Sequence, residues 1–135
     1  MNPVVHFELP AENRDRMRAF YETAFGWQTR ELGPEMGNYV LATTTETDEN
    51  RMVKTPGTIN GGFYDKSNQG QVNARLTVQV PDIKEAMKKI TDAGGKVIGG
   101  MRNPGGYDEI PGVGLYAMFQ DTEGNFLSIL QPTNQ

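Results

Sequence analysis

At 135 residues, 36% hydrophobic and 22% charged, the chain can build one ordinary core, or two small units that share one, and is too short for two independent domains of usual size. A formal net charge of −4, with thirteen Lys and Arg scattered among seventeen acids, argues against the concentrated basic surface that a nucleic-acid partner requires. The chain contains no cysteine, which excludes disulfides, thiolate nucleophiles and Cys-ligated zinc and suits a cytoplasmic location, while the lack of a signal pattern or of an apolar run of about 20 residues argues against export and a membrane span.

The first elements are written in one stretch, VVHFELPAENRDRMRAFYETAFGW from Val4 to Trp27. Val5, Phe7 and Leu9 alternate with His6 and Glu8, the period of a half-buried strand. Beyond Pro10 the period changes. Met17, Phe20, Tyr21, Ala24 and Phe25 recur at spacings of three and four, so a helix is expected whose apolar stripe lies back on the sheet before Gly26 stops it. A second strand runs from Gln28 to Leu32, a third from Asn38 to Thr45, and a fourth from Thr58 to Tyr64. In the fourth, the pair Gly61-Gly62 signals a bulge or a close backbone approach. Asp65 to Gln71 carries no hydrophobic residue and reads as the linker between two halves.

From Asn73 the opening pattern returns as ARLTVQVPDIKEAMKKITDAGGKV. Asp82 is an N-cap with Glu85 at the capping-box spacing, and Ile83, Ala86, Met87, Ile90 and Ala93 form the buried stripe. Matching Gly26 with Gly95 sets an offset of 69 residues, which brings Asn13 onto Asp82 and His6 onto Arg75 without a gap. A strand at Lys96 to Ile98, a loop from Gly99 to Gly114, and strands from Leu115 to Gln120 and Asn125 to Gln131 complete the second half. Each half reads βαβββ, with module one at about 3–65 and module two at about 73–131 of a single domain. Neither half can bury its own sheet. The economical arrangement is an α+β fold in which two βαβββ modules form a curved, incompletely closed eight-stranded barrel around a cavity. His6, Glu8, Arg75 and Thr77 face that cavity.

These stretches resemble the glyoxalase/bleomycin resistance protein/extradiol dioxygenase superfamily, the vicinal oxygen chelate fold, over nearly the whole chain, and most closely its small glyoxalase-related bacterial proteins. The resemblance is carried by His6 ahead of Phe20-Tyr21 and Phe25-Gly26-Trp27. Val80-Pro81-Asp82-Ile83 with Ala93-Gly94-Gly95-Lys96 carries it further, as does Pro111-Gly112-Val113-Gly114 leading into Asp121-Thr122-Glu123-Gly124-Asn125. In metal-dependent members, ligands come from the first and fourth strands of each module. His6 matches the first position, but the others fall on Asn60 or Gly61, on Arg75 and on Ser128. An arginine offers only donors and one imidazole cannot hold a transition metal, so the resemblance implies no metal and no other cofactor here.

The candidate catalytic residues are His6, the sole histidine, and Glu8 on the same strand face. Arg75, Tyr39, Asn60, Tyr116 and Ser128 are the candidate ligand-binding residues. An inward arginine needs a partner, which is either an internal acid such as Glu8 or an anionic ligand. Tyr39 and Tyr116 hold similar places in their halves and line the cavity with Met118, Trp27 and Tyr64, while the loop Met101 to Gly114 reads as a flexible cover. Two functions follow from the resemblance. One is a lyase, isomerase or dioxygenase-type enzyme acting on a small oxygenated metabolite; the alternative is a non-catalytic binding protein that sequesters an antibiotic-like, aromatic or anionic molecule. A homodimer is expected, since open sheet edges otherwise stay exposed.

Overall fold

The computed structural model describes residues 1–68 and 72–133. It is an α+β protein with two helices, and it resolves into two compact units, one of residues 6–74 and the other of residues 1–5 with 75–135. Among the described residues no helix is long and apolar enough to cross a membrane.

In the first unit, β1 (Val4–Ala11) leads into α1 (Arg14–Phe25), followed by β2 (Gln28–Glu31), β3 (Val40–Thr43) and β4 (Asn60–Asp65), with the spatial order β2-β3-β4-β1. The local chemistry sets the helix ends. The Asn13 carboxamide oxygen accepts from the Arg16 amide at 2.9 Å, and Gly26, at φ 71°, turns the chain so that its amide returns to the Glu22 carbonyl. The core is Ala11, Val40, Ala42 and Phe63, and Met17 and Tyr21 of α1 close over it with Phe7, Leu9 and Trp27. Trp27 stacks on Tyr21 with ring centroids 4.5 Å apart, so it lies on the helix side of the sheet rather than with the cavity residues. The expected linker begins with a short 3-10 turn at Lys66–Asn68, and its residues 69–71 lie outside the described residues.

The second unit repeats the plan. β5 (Arg75–Gln79) and α2 (Ile83–Asp92) are followed by β6 (Lys96–Gly99), β7 (Asp108–Ile110), β8 (Gly114–Gln120) and β9 (Phe126–Pro132), ordered β5-β9-β8-β6 with β7 added beside β8. Asp82 caps α2 by accepting from the Glu85 amide at 3.0 Å, so the two N-caps stand 69 residues apart as the repeat requires. Val80, Ile83, Ala117 and Ile129 form the second core under Ala86, Met87 and Ile90.

Two expectations change. β7 is a ninth strand inside what the sequence marks as a loop, held by its register with β8 (Asp108 against Tyr116, Ile110 against Gly114). The segment ahead of it is tied down rather than a free cover: the Asp108 carboxylate accepts from the Met101 and Arg102 amides at 2.7 and 3.1 Å, and the Gly105 amide donates to Ile98 at 2.8 Å.

Candidate functional site

In the first unit, β1 and β4 run parallel with His6 opposite Asn60, Phe7 opposite Gly61 and Glu8 opposite Gly62, without interruption to Ala11 and Asp65. No bulge is present. The glycine pair is instead a close approach on both faces. A Cβ at Gly61 would run into the Phe7 ring on the helix side, and one at Gly62 would run into the Tyr39 ring on the other. That second face carries His6, Glu8, Asn60 and Tyr64.

His6 Nε2 lies 3.0 Å from the Tyr39 hydroxyl. Burial lowers the His6 pKa below 6.5, opposed by the nearby Glu8 carboxylate, so the imidazole is neutral at pH 7. Glu8 is itself buried, at 7% exposure. Asn60 is engaged structurally: its carboxamide oxygen accepts from the Thr44 and Thr45 amides at 2.7 and 3.0 Å and so continues the end of β3. That use of the side chain joins positions 15 and 16 residues apart and leaves no local signature.

In the second unit, Arg75 and Thr77 of β5, Tyr116 and Met118 of β8, and Ser128 of β9 share the face opposite α2, because their neighbours Val78, Leu115, Ala117 and Ile129 enter the core. Arg75 is buried, at 3% exposure, and its Nη1 donates to the Met118 sulfur at 3.2 Å. The Thr77 and Ser128 hydroxyls are hydrogen-bonded at 2.8 Å and both are buried.

The strand registers settle which residues correspond. Ser128 stands opposite Thr77 and Gly62 stands opposite Glu8, while Met118 and Leu41 take matching places on the middle strands. The counterpart of Ser128 is therefore Gly62, one or two residues beyond the Asn60 or Gly61 expected from sequence. At these positions the first module offers an imidazole and a glycine without a side chain, and the second a guanidinium and a buried serine bonded to a threonine. Neither pair fits a divalent transition metal, which needs several imidazole, thiolate or carboxylate ligands. Among the described residues no group of three His, Asp or Glu comes together in a way that could hold one.

Residues 4–45 match the family model described as bleomycin resistance protein-like N-terminal. A glyoxylase-like domain-containing protein of Didymella fabae is 28% identical over 124 residues, covering 87% of this chain and 84% of that protein. Among solved structures, a methylmalonyl-CoA epimerase of Streptomyces coelicolor, bound to 2-nitronate-propionyl-CoA, superposes with a TM-score of 0.67 at 11% identity, covering 96% of each chain. A hypothetical protein from Bacillus halodurans gives 0.66 at 13% identity, covering 99% of this chain and 96% of its own. The chain has the vicinal oxygen chelate fold. Its similarities run to bleomycin-resistance-like and glyoxylase-like proteins.

The environment of His6 sets a pH dependence. A pKa lowered in the native state means that the unfolded chain takes up a proton that the folded chain resists, so the imidazole's full stability is present above pH 6.5 and is lost as pH falls below it, levelling once the native imidazole also charges. Glu8 and Tyr64 share its strand face and Tyr39 touches it. Asp65, held low by the Ser67 hydroxyl and amide, and Asp121, held low by Asn125, act in a separate window below their ordinary 3.8. The melting temperature is expected to drop as pH is lowered from 6.5 toward 5, and His6→Gln is expected to flatten that limb. An unchanged slope in the variant would remove His6 from the account.

Proposed function

We propose that this protein binds a small oxygenated molecule, anionic or aromatic, without a transition metal. The observation that carries this reading is what each unit offers at its matched strand positions, His6 and Gly62 in the first and Arg75 and Ser128 in the second, groups that suit hydrogen bonding and charge pairing and not metal ligation. Arg75 supplies a planar, permanently charged fork suited to a carboxylate. Tyr39 and Tyr116 add aromatic surface with a polar tip. The test is a thermal-shift series with sodium salts of small aliphatic and aromatic carboxylic acids in the presence of a chelator. Saturable stabilisation by at least one class supports the reading, and none across the series would count against it.

A second reading is favoured by one observation, the half-buried imidazole of His6, its pKa lowered by desolvation, on the same strand face as the buried Glu8. Such a group can act as the acid or base toward a bound metabolite, giving the Nδ1 proton or receiving one through the Tyr39 hydroxyl, with Glu8 as the other acid or base or as the orienting group, in an isomerase or lyase step. Turnover of a stabilising ligand, abolished by His6→Gln while binding persists, would select the enzyme over the binding protein.

Pairing of two copies belongs to the same proposal. Light scattering at micromolar concentration is expected to give twice the 15.0 kDa chain mass. The monomer mass across a dilution series would rule the dimer out.

A further inference from the structure

Gly62 and Tyr39 carry an inference that rests on the metal-free reading and deepens it. In the second module, the place opposite Thr77 is filled by the Ser128 side chain; in the first, the corresponding place opposite Glu8 is Gly62. What occupies the space of its missing Cβ is the Tyr39 ring. Any side chain at position 62 would displace that ring, and with it the phenol that meets His6 Nε2. The phenol bond is the only hydrogen bond of the imidazole to a protein group among the described residues, and it uses the nitrogen that extends furthest from the strand.

We infer that Gly62 and Tyr39 are positioning residues that rebuild the first module's ligand position as a His6–Tyr39 pair, with Tyr39 donating to Nε2 and the proton held on Nδ1 toward a carbonyl or carboxylate oxygen of a small molecule. The direction follows from acidity: a phenol is a better donor than a neutral imidazole N–H, and an imidazole nitrogen is a better acceptor than a phenol oxygen. A neutral histidine has its tautomer fixed by the bond that one nitrogen makes, which determines what the other can recognise. The pair therefore selects an acceptor atom and disfavours a donor.

The chain has one histidine, so 15N labelling of that residue type gives two imidazole resonances without assignment ambiguity. At pH 7.5, with no ligand added, the wild-type protein is expected to show an unprotonated Nε2 and a protonated Nδ1. Tyr39→Phe, which keeps the ring and removes only the hydroxyl, is expected to lose that signature and show the Nε2–H form that predominates in free histidine. Gly62→Ala is expected to produce the same loss, and to add nothing in a Tyr39→Leu background, where the ring is gone. A wild-type spectrum with the proton on Nε2 would overturn the assignment, as would a Gly62→Ala spectrum identical to wild type. If Gly62→Ala does not fold, the Tyr39→Phe spectrum still decides. Repeating the wild-type spectrum with and without chelator separates this inference from the reading beneath it: a chelator-dependent change means a metal at His6 and defeats the metal-free reading, whereas a wrong tautomer that is indifferent to chelator defeats only the His6–Tyr39 assignment.

Discussion

Phe63→Ala is expected to destabilise the protein by about 3–5 kcal/mol, the range for truncating a fully buried phenylalanine to alanine. Phe63 is 0% exposed on β4, with the Tyr21 ring 5.4 Å away and the Trp27 ring 6.4 Å away, and it meets Val40 in register across β3. Its removal costs the transfer energy of the ring and leaves a cavity whose walls, two strands and a helix, cannot all close. Domain stabilities run to about 5–15 kcal/mol, so one residue would consume a large share. Trp27, the sole tryptophan, borders the cavity and gives the readout: its fluorescence in urea is expected to show a midpoint shifted far down with a similar slope. Phe20→Ala is the internal control. Phe20 is 57% exposed on α1, and its loss is expected to cost about 0.5 kcal/mol or less. A Phe63→Ala cost below about 1 kcal/mol would contradict the packing described for the first unit.

Arg75→Met is expected to remove the stabilisation given by small carboxylates. A hydrogen bond to a charged group is worth about 1.5–3 kcal/mol, which converts to an affinity loss of about 10- to 150-fold, enough to erase a thermal shift measured near the dissociation constant. Methionine keeps much of the length and apolar contact of the arginine stem, including its approach to Met118, and removes the charge and the donors. Retained carboxylate binding by folded Arg75→Met would move the anchor elsewhere. Loss of the native circular dichroism would make the guanidinium a structural group, since removing one member of a buried charged arrangement is strongly destabilising.

The parts of the fold that were legible in the sequence are those written in local chemistry. β1, α1 and α2 are specified by period and caps, and Asn13, Gly26 and Asp82 serve as the spacing predicts, but of the stripe expected on α1 only Met17 and Tyr21 pack on the core, while Phe20 and Phe25 are exposed. The 69-residue offset follows from those caps, and the strand orders of the two units agree with it. What escaped is set by contacts distant in sequence. β7 has no alternating pattern in Asp108, Glu109 and Ile110 and exists because β8 offers it an edge. Trp27 follows a turn that resets strand parity, so its face could not be counted from β1; its stacking on Tyr21 fixes it on the helix side. The glycine pair was visible, but its purpose was not, because the rings that need the space belong to Phe7 and Tyr39. For the same reason the sequence points to Asn60 or Gly61 as the place matching Ser128, whereas the strand register puts it at Gly62.

The central claim is that this chain has the vicinal oxygen chelate fold without the ligands for a metal. Metal analysis of the purified protein, before and after incubation with nickel, zinc or manganese and removal of excess, tests it most directly. Arg75 offers only donors, and only His6 among the matched positions is a strong ligand. The predicted result is no stoichiometric metal in any sample and a melting temperature indifferent to metal or chelator. One bound metal per chain, lost on His6→Ala, would contradict the account and restore a metal centre to this site.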